Sequence, residues 1–360
     1  MSDKYRIDSH KLIFHVPRVN AWLEGENVYP IYMEVSPAGG CNHRCTYCAL
    51  DFMGYQKRFL DTGILKTRLT EMGQLGLKSI MFAGEGEPFL HPDMVELTEH
   101  TKAAGIDPSF TTNASKIVKE VADRIVPVTS WIKVSINGAT AETYAKIHQS
   151  TPKDFDRTIE NMAYAAELRK KDGHKCVLGM QLLLLPENQH EAVALAKLAK
   201  EIGMDYLVIK PYSQHPLSNT HLYENVTYEG IDQLAEDLDA VSGDGFSVIF
   251  RRETMKTWDA KAHEYERCLA LPFWSYMDAG GNIWGCSMYM ENEELKDKFL
   301  YGNINEKSFK EIWEGDQRKQ ALSWVENDLN VSQCRVNCRM DKINKYLWEL
   351  RHPQEHVNFI

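Results

Sequence analysis

The sequence predicts an α/β fold: a partial (β/α)6 TIM-type barrel over about 31–250, followed by a small Cys-rich α+β region over 251–360. Three observations predict it. From Ile31 onward, short apolar runs alternate with helical patterns of about 10 to 15 residues, the rhythm of βα units around a parallel sheet. Six such units occupy about 180 residues, which suits a partial barrel better than a full eight-fold one. After about Gly243 the rhythm stops, and the chain becomes rich in Trp, Gly and Cys.

Residues 1–30 are mixed and aromatic, and read as an arm or cap. Ile31–Ser36 reads as the first strand. Thr62–Leu75 reads as a helix ending near Gly76, Ser79–Ala83 as a buried strand, and Pro92–Ala104 as a helix ending at Gly105. Ser109–Thr112 is a strand, Ser115–Ile125 a helix and Trp131–Ile136 a strand. A long helix over Phe155–Lys171 follows, then a strand at Cys176–Leu185 and a helix at His190–Ile202 closed by Gly203. Tyr206–Ile209 is the sixth strand, Phe246–Phe250 reads as one more, and Asp341–Leu350 is a closing helix.

Composition narrows the function. Of 360 residues, 43% are hydrophobic and 26% charged, which excludes intrinsic disorder as the main state. The net charge of −10 argues against nucleic acid or an anionic membrane as main partner, since either demands a basic face. The densest apolar run, Val177–Leu185, is far short of the roughly 20 residues a membrane span needs. The polar start at Met1 lacks the apolar core of a secretory signal, so a cytoplasmic location is expected.

The eight cysteines are clustered, and in a chain of this kind clusters more often hold metal than form disulfides. Cys41, Cys45 and Cys48 have the spacing C-x3-C-x2-C, which chance would produce about 0.004 times in such a chain. The trio directly follows the first strand, at the end where parallel α/β folds place their sites. Three thiolates can hold three irons of a 4Fe–4S cube and leave the fourth open for chemistry. The competing zinc-knuckle reading needs a fourth ligand, for which His43 is awkwardly placed.

This loop and the motifs after it resemble the radical S-adenosylmethionine (SAM) superfamily. The resemblance implies that SAM chelates the open iron and is cleaved reductively to a 5′-deoxyadenosyl radical, which abstracts a substrate hydrogen. Tyr47 stands where the family carries an aromatic residue near the adenine. Gly84-Glu85-Gly86-Glu87-Pro88 resembles the family's Gly-Gly-Glu-Pro motif, in which Gly86 allows close approach and Glu87 receives the SAM ammonium; Glu85 is a departure. Thr111-Thr112-Asn113 resembles the Thr-Asn-Gly segment, with Ala114 replacing the glycine. Ser135-Ile-Asn137-Gly138 resembles the Ser-hydrophobic-Asp-Gly motif that contacts the ribose, with Asn137 replacing Asp. Where relatives place an Arg for the SAM carboxylate, only Lys146 and His148 are nearby.

Cys268, Cys286, Cys334 and Cys338 form a second set. With Gly281-x4-Cys286 and the stretch Gly302–Trp313, they resemble the auxiliary-cluster domain called SPASM when it holds two clusters and twitch when it holds one. Four cysteines imply one fully ligated 4Fe–4S cluster, an electron carrier; a four-thiolate zinc site is the alternative. The last pair is C-x3-C where twitch relatives often have C-x2-C.

The function that follows is an oxidoreductase. Hydrogen abstraction from a small polar metabolite, sugar- or cyclitol-like as in twitch relatives, would be completed by proton loss and electron transfer to the auxiliary cluster. Lys210, Tyr212, Gln214 and His215, at the sixth strand end, are candidate proton acceptors, with Lys210, Tyr212 and His215 taken as catalytic. Arg251 and Arg252 are candidate holders of a phosphate or carboxylate. A reducing partner such as flavodoxin or ferredoxin is implied. Epimerisation is a rival, although the spare Cys176 sits at the start of its strand, away from the trio. Peptide maturation is another, weakened by the 40 residues before Cys41, where many such relatives carry a peptide-recognition domain. A non-catalytic iron–sulfur carrier would gain nothing from an open iron.

Overall fold

The computed structural model describes residues 4–260 and 262–359. Ten strands form one sheet: β1 Tyr32–Val35, β2 Ser79–Phe82, β3 Asp107–Thr112, β4 Trp131–Ser135, β5 Val177–Leu183, β6 Tyr206–Lys210, β7 Ser247–Phe250, β8 Trp274–Met277, β9 Asn282–Trp284 and β10 Leu300–Asn303. Their order is β10-β9-β8-β1-β2-β3-β4-β5-β6-β7. The first six barrel strands pair in parallel with their sequence neighbours, as the βα rhythm predicts, and β7 adds to β6 in the same sense. This is the partial TIM-type barrel, with a C-terminal Cys-rich α+β region attached.

Strand alternation sets the layers. Ile80, Phe82, Phe110, Ile132, Val134 and Leu178 are fully buried and face the helical shell. The alternate positions, among them Glu34, Ser36, Lys133, Ser135, Gln181 and Lys210, stand on the opposite, inner face. Gly179 is required there, because a Cβ would overlap the Tyr206 ring from the neighbouring strand.

The helices begin and end where their caps dictate. Asp61 accepts from Ile64 N–H at 2.8 Å to start Thr62–Gln74. Thr151 and Asp154 form a capping box for Pro152–Asp172, which ends on left-handed Gly173. An extra short helix, Ala141–His148, precedes it and was not predicted.

The C-terminal region is joined to the barrel by backbone pairing. β8 lies parallel to β1, with Tyr32 opposite Trp274 and Val35 opposite Met277. β9 and β10 continue antiparallel from it. The Gly302–Trp313 stretch forms β10 and a helix, Phe309–Glu314, capped by Ser308 and Glu311. Its Trp313 donates from Nε1 to the Val28 carbonyl at 2.8 Å, tying it to the N-terminal cap. In that cap, the helix Val16–Leu23 buries Val19 and Trp22 with Phe273 and Leu347. Tyr5 and Ile7 pack on Tyr206, Val208 and Ile249 at the start of the barrel strands. No helix among the described residues is long and apolar enough to cross a membrane.

Candidate active site

The three N-terminal thiols lie in the loop after β1. Cys45 senses the charge of both Cys41 and Cys48, and Cys41 senses that of Cys48, so the sulfurs converge. Burial pushes Cys41 up to about 12, and Cys45 and Cys48 also upward. Buried thiols that approach one another ionise together only against a cation, which is the donor set an iron–sulfur cube requires. Arg44 closes the loop, donating to the Cys41 carbonyl at 2.7 Å while its guanidinium lies 4.1 Å from the Tyr55 ring centre.

The strand ends hold this loop in place. A Cβ on Gly86 would overlap the carbonyls of Gly40 and Ala38, so only glycine lets the second strand end touch the residues before Cys41. Glu87 is buried, accepting from Thr112 Oγ1 at 2.5 Å, Asn113 N–H at 2.8 Å and Phe89 N–H at 3.2 Å. Burial raises its pKa, with those donors acting against it. Asn113 donates to Asn42 Oδ1 at 2.9 Å, next to Cys41, and accepts from Ser115. Ser135 stands half-buried on the inner face with no hydrogen-bond partner among the described residues.

The direct ribose contact expected of Asn137 is corrected by its surroundings. Asn137 is 0% exposed, its Oδ1 accepts from Leu183 N–H at 2.7 Å, and its Nδ2 donates to the Tyr47 hydroxyl at 2.7 Å. Its φ of 51° is left-handed, a conformation Asn tolerates. Asn137 therefore positions the turn and Tyr47 instead of reaching a ligand. The same turn is clamped by a residue that sequence reasoning missed. Glu191 accepts from Ala139 N–H at 2.6 Å, Thr140 Oγ1 at 2.9 Å and Thr143 Oγ1 at 2.5 Å. Those donors outweigh desolvation and lower its pKa. Nothing local marks Glu191, which reads as a surface residue opening the helix Ala192–Glu201.

Of the two cations near that turn, Lys146 is exposed, while His148 is fully buried. His148 Nε2 lies 3.1 Å from the Ile136 carbonyl and Nδ1 lies 3.2 Å from Cys45 Sγ. With Nε2 donating to the carbonyl, Nδ1 faces the sulfur bare. Burial, with His43 adding to it, lowers His148 to about 3, so the ring is neutral. His43, Cys45 and His148 place donor atoms within 4.8 Å of one another, but the commitment of His148 to Ile136 makes it a wall of the Cys45 thiol more than a free ligand.

Glu85, the departure from the motif, joins the two halves of the chain. Its Oε2 accepts from Arg58 at 2.8 Å and its Oε1 from Ala279 N–H, beyond β8, at 2.9 Å.

The second thiol set is brought together completely. Every pair among Cys268, Cys286, Cys334 and Cys338 is close enough to interact electrostatically. Burial, reinforced by the neighbouring thiols, pushes Cys268 up to about 12. Donors point at the sulfurs: Asn344 Nδ2 at 3.6 Å from Cys268, Met340 N–H at 3.4 Å from Cys338, and the Tyr289 hydroxyl at 3.3 Å from Cys334. Asn344 is fixed by accepting from Leu269 and Ala270 N–H. Four mutually facing thiols with N–H and O–H donors around them fit a fully ligated cluster.

The sixth strand end separates the candidate proton acceptors. Lys210 closes β6 on the inner face, its side chain makes no ion pair or hydrogen bond among the described residues, and it is driven well below its usual pKa by burial and then by Lys133, Arg251, Arg339 and Arg335. Tyr212 is corrected: it is 1% exposed, donates to Gln214 at 2.6 Å and packs edge-on against Tyr223 and Trp258, so it belongs to the core. His215 is also corrected: it is stacked on Phe52 at 4.7 Å, accepts from Leu217 N–H at 3.1 Å, and adjoins Ser287 beside the second thiol set. Burial, with Arg335 adding to it, lowers it to about 4. Arg251 is paired with Asp8 at 3.0 Å, and Arg252 is exposed. Cys176 is 2% exposed just before β5, as expected of a small core residue.

The loop after β6 spans both thiol sites. Asp51, three residues past Cys48, accepts from Ser218, Asn219 and Thr220, while Ser213 donates to the Val336 carbonyl between Cys334 and Cys338.

Comparison with known proteins agrees with this geometry. Residues 35–199 match the radical SAM superfamily, and residues 268–339 match the SPASM iron–sulfur cluster-binding domain. The AdoMet-dependent heme synthase of Methanosarcina barkeri is 27% identical over 76% of this chain and 79% of its own length. The mycofactocin maturase MftC of Mycobacterium tuberculosis is 24% identical over 85% of this chain and 76% of its own. Among solved structures, Streptococcus suis SuiB bound to its precursor peptide SuiA superposes with a TM-score of 0.64 at 18% identity, covering 84% of this chain and 69% of that one. The chain belongs to the radical SAM superfamily. More particularly, it is a radical SAM enzyme with a C-terminal SPASM-type auxiliary domain, and its cofactors are SAM, the SAM-binding 4Fe–4S cluster and an auxiliary 4Fe–4S cluster.

Proposed function

We propose that the protein is a radical SAM oxidoreductase acting on a small polar metabolite, in which Cys41, Cys45 and Cys48 hold the SAM-binding cluster and Cys268, Cys286, Cys334 and Cys338 the auxiliary one. When bound, these groups supply a 5′-deoxyadenosyl radical that takes one hydrogen atom, and a sink for the one electron that remains. The chain supplies the rest. Glu87 receives the SAM ammonium, with Asn113 and Gly86 fixing the loop around it. Tyr47 would stand against the adenine and Ser135 would offer its hydroxyl to SAM, while Asn137 orients Tyr47. Lys210 takes the substrate proton, so that one hydrogen atom, one proton and one electron leave in a balanced two-electron oxidation.

The observation that supports oxidation is Lys210: an unpaired amine with a depressed pKa, on the inner face at the β6 end. An amine whose pKa is pushed down gives up its own proton more readily, as a proton acceptor must. Flavodoxin or ferredoxin is the proposed reductant.

A peptide substrate is the second reading. It is supported by the relatives named as a maturase and as bound to a precursor peptide. Substrate trials with labelled compounds separate the two. Under oxidation, one SAM is consumed per product, and one deuterium moves irreversibly from substrate into 5′-deoxyadenosine. Transfer of the deuterium to 5′-deoxyadenosine with a solvent-derived hydrogen appearing at the same carbon of the product, and no electron released, would replace oxidation by epimerisation. Turnover of peptides alone would replace the small-metabolite reading.

A further inference from the structure

The barrel interior carries a positive charge that its own acids do not cancel. β4 places Ile132 and Val134 outward, so Trp131, Lys133 and Ser135 stand on the inner face. Lys133 lies in register with Thr111 of β3 and Gly179 of β5, and so is flanked by strands on both sides. Its ammonium has the Trp131 ring at 5.6 Å and no acidic partner within ion-pair distance. It stands two residues before Ser135, about 6.5 Å deeper along the strand.

Other cations surround it. Lys210 senses Lys133, and both sense Arg251 and Arg339. Arg335, between Cys334 and Cys338, also acts on Lys210 and itself has no hydrogen bond or ion pair among the described residues. Two acids face this group. Glu34 is engaged by Arg339, and Asp8 by Arg251. Those pairs cancel, which leaves Lys133 and Arg335 as the uncancelled cations, beside the Lys210 amine whose pKa they help to depress. Arg339 keeps 44% of its side-chain surface free while paired to Glu34.

This charge is not an echo of composition, because the whole chain carries −10. Nor does SAM account for it. SAM has one carboxylate against an ammonium and a sulfonium, so its arrival adds positive charge. The thiolates of the second site answer Arg335 in part, since Arg335 senses Cys338 and Cys286. Lys133 senses a single acid, Glu34, which Arg339 already engages. An uncompensated cation drawn partly out of water is costly unless a ligand meets it.

We propose that the barrel interior binds a small substrate carrying two or more negative charges, as carboxylate or phosphate, with Lys133 and Arg335 as its charge contacts. This rests on the small-metabolite reading above and narrows it. Arg335 offers a planar fork to an oxyanion and Lys133 a point charge.

The test is calorimetric binding to the anaerobic, cluster-loaded enzyme, with citrate and pyrophosphate as separate probes. At least one binds, more weakly as salt is raised; citrate alone marks a carboxylate substrate, and pyrophosphate alone a phosphate. Lys133→Met and Arg335→Gln each weaken that binding by about tenfold or more. Without probe, Lys133→Met melts at or above the wild-type temperature, since it removes repulsion, whereas a structural lysine would leave it several degrees lower. The proposal is overturned if neither probe binds, if Lys133→Met binds as tightly as wild type, or if Lys133→Met melts well below it. It is also overturned if that variant loses affinity for SAM and not for the probe, because Lys133 then serves the SAM carboxylate. Reductive SAM cleavage by the wild type is measured in parallel. Its failure with probe binding intact removes the radical reading and leaves the anion site standing.

Discussion

Asn137 and Tyr47 are joined side chain to side chain, Nδ2 donating to the phenol oxygen at 2.7 Å across 90 residues of sequence. The turn after β4 thereby sets the ring that stands between the second and third cysteines. Tyr47→Phe keeps the ring and removes the acceptor, leaving a buried amide proton unanswered at a cost of about 1 kcal/mol. SAM affinity should fall severalfold with iron content unchanged, as equilibrium dialysis and iron assay would read. An unchanged affinity would mean that the bond orders nothing beyond itself.

Iron counting tests the two thiol sites. Anaerobically reconstituted protein should carry about eight irons per chain, and the Cys41→Ala/Cys45→Ala/Cys48→Ala variant about four. Zinc in place of iron at either site would dismiss the cluster assignment there.

Gly86→Ala forces a methyl against the Gly40 and Ala38 carbonyls, which are backbone and cannot swing aside. The cysteine loop should shift, and the variant should assemble only the auxiliary cluster, about four irons per chain. Full loading would show that the loop yields.

Glu191→Ala leaves the donors of Ala139, Thr140 and Thr143 without their carboxylate. A loss of about 2 to 3 kcal/mol is expected in chemical denaturation. The pH dependence has a definite sign. The folded pKa of Glu191 lies below its ordinary value of 4.5, so its contribution is present above that value and lost as pH falls through the folded one. The wild-type and variant curves should therefore converge in acid.

Lys210→Met should lower product formation by about a hundredfold or more. Because the neutral amine accepts the proton, wild-type turnover should rise with pH through the depressed Lys210 pKa. The groups that set this value, after burial, are Lys133, Arg251, Arg339 and Arg335. Lys133→Met removes the first of these charges, so the rising limb should move to higher pH. A limb that stays in place would remove Lys210 from proton transfer.

Much of the fold could be read from local pattern, because strands buried on both sides announce themselves as short apolar runs. The strand-end motifs were visible for the same reason: Glu87, Asn113 and Ser135 each follow such a run. The helix Ala141–His148 escaped because eight residues carry too few apolar positions to show a period. Lys133 escaped because a lysine between isoleucine and valine in a strand looks like an ordinary solvated position until the sheet curls around it. The tasks of Glu85 and Glu191 depend on partners 194 and 48 or more residues away, which no local window contains. Tyr212 and His215 were chosen by their place after β6, and only packing revealed that their rings turn into the core and toward Phe52.

The parallel pairing of Tyr32 with Trp274 also has a consequence for how the molecule is made. As the polypeptide leaves the ribosome, its first strand gains one neighbour early, but its other edge stays bare until about 240 more residues have emerged. A truncated translation product ending before Trp274 would expose that ribbon to its own copies. Shorter versions of the polypeptide should therefore precipitate, and yield of soluble material should recover only once the last hundred residues are restored.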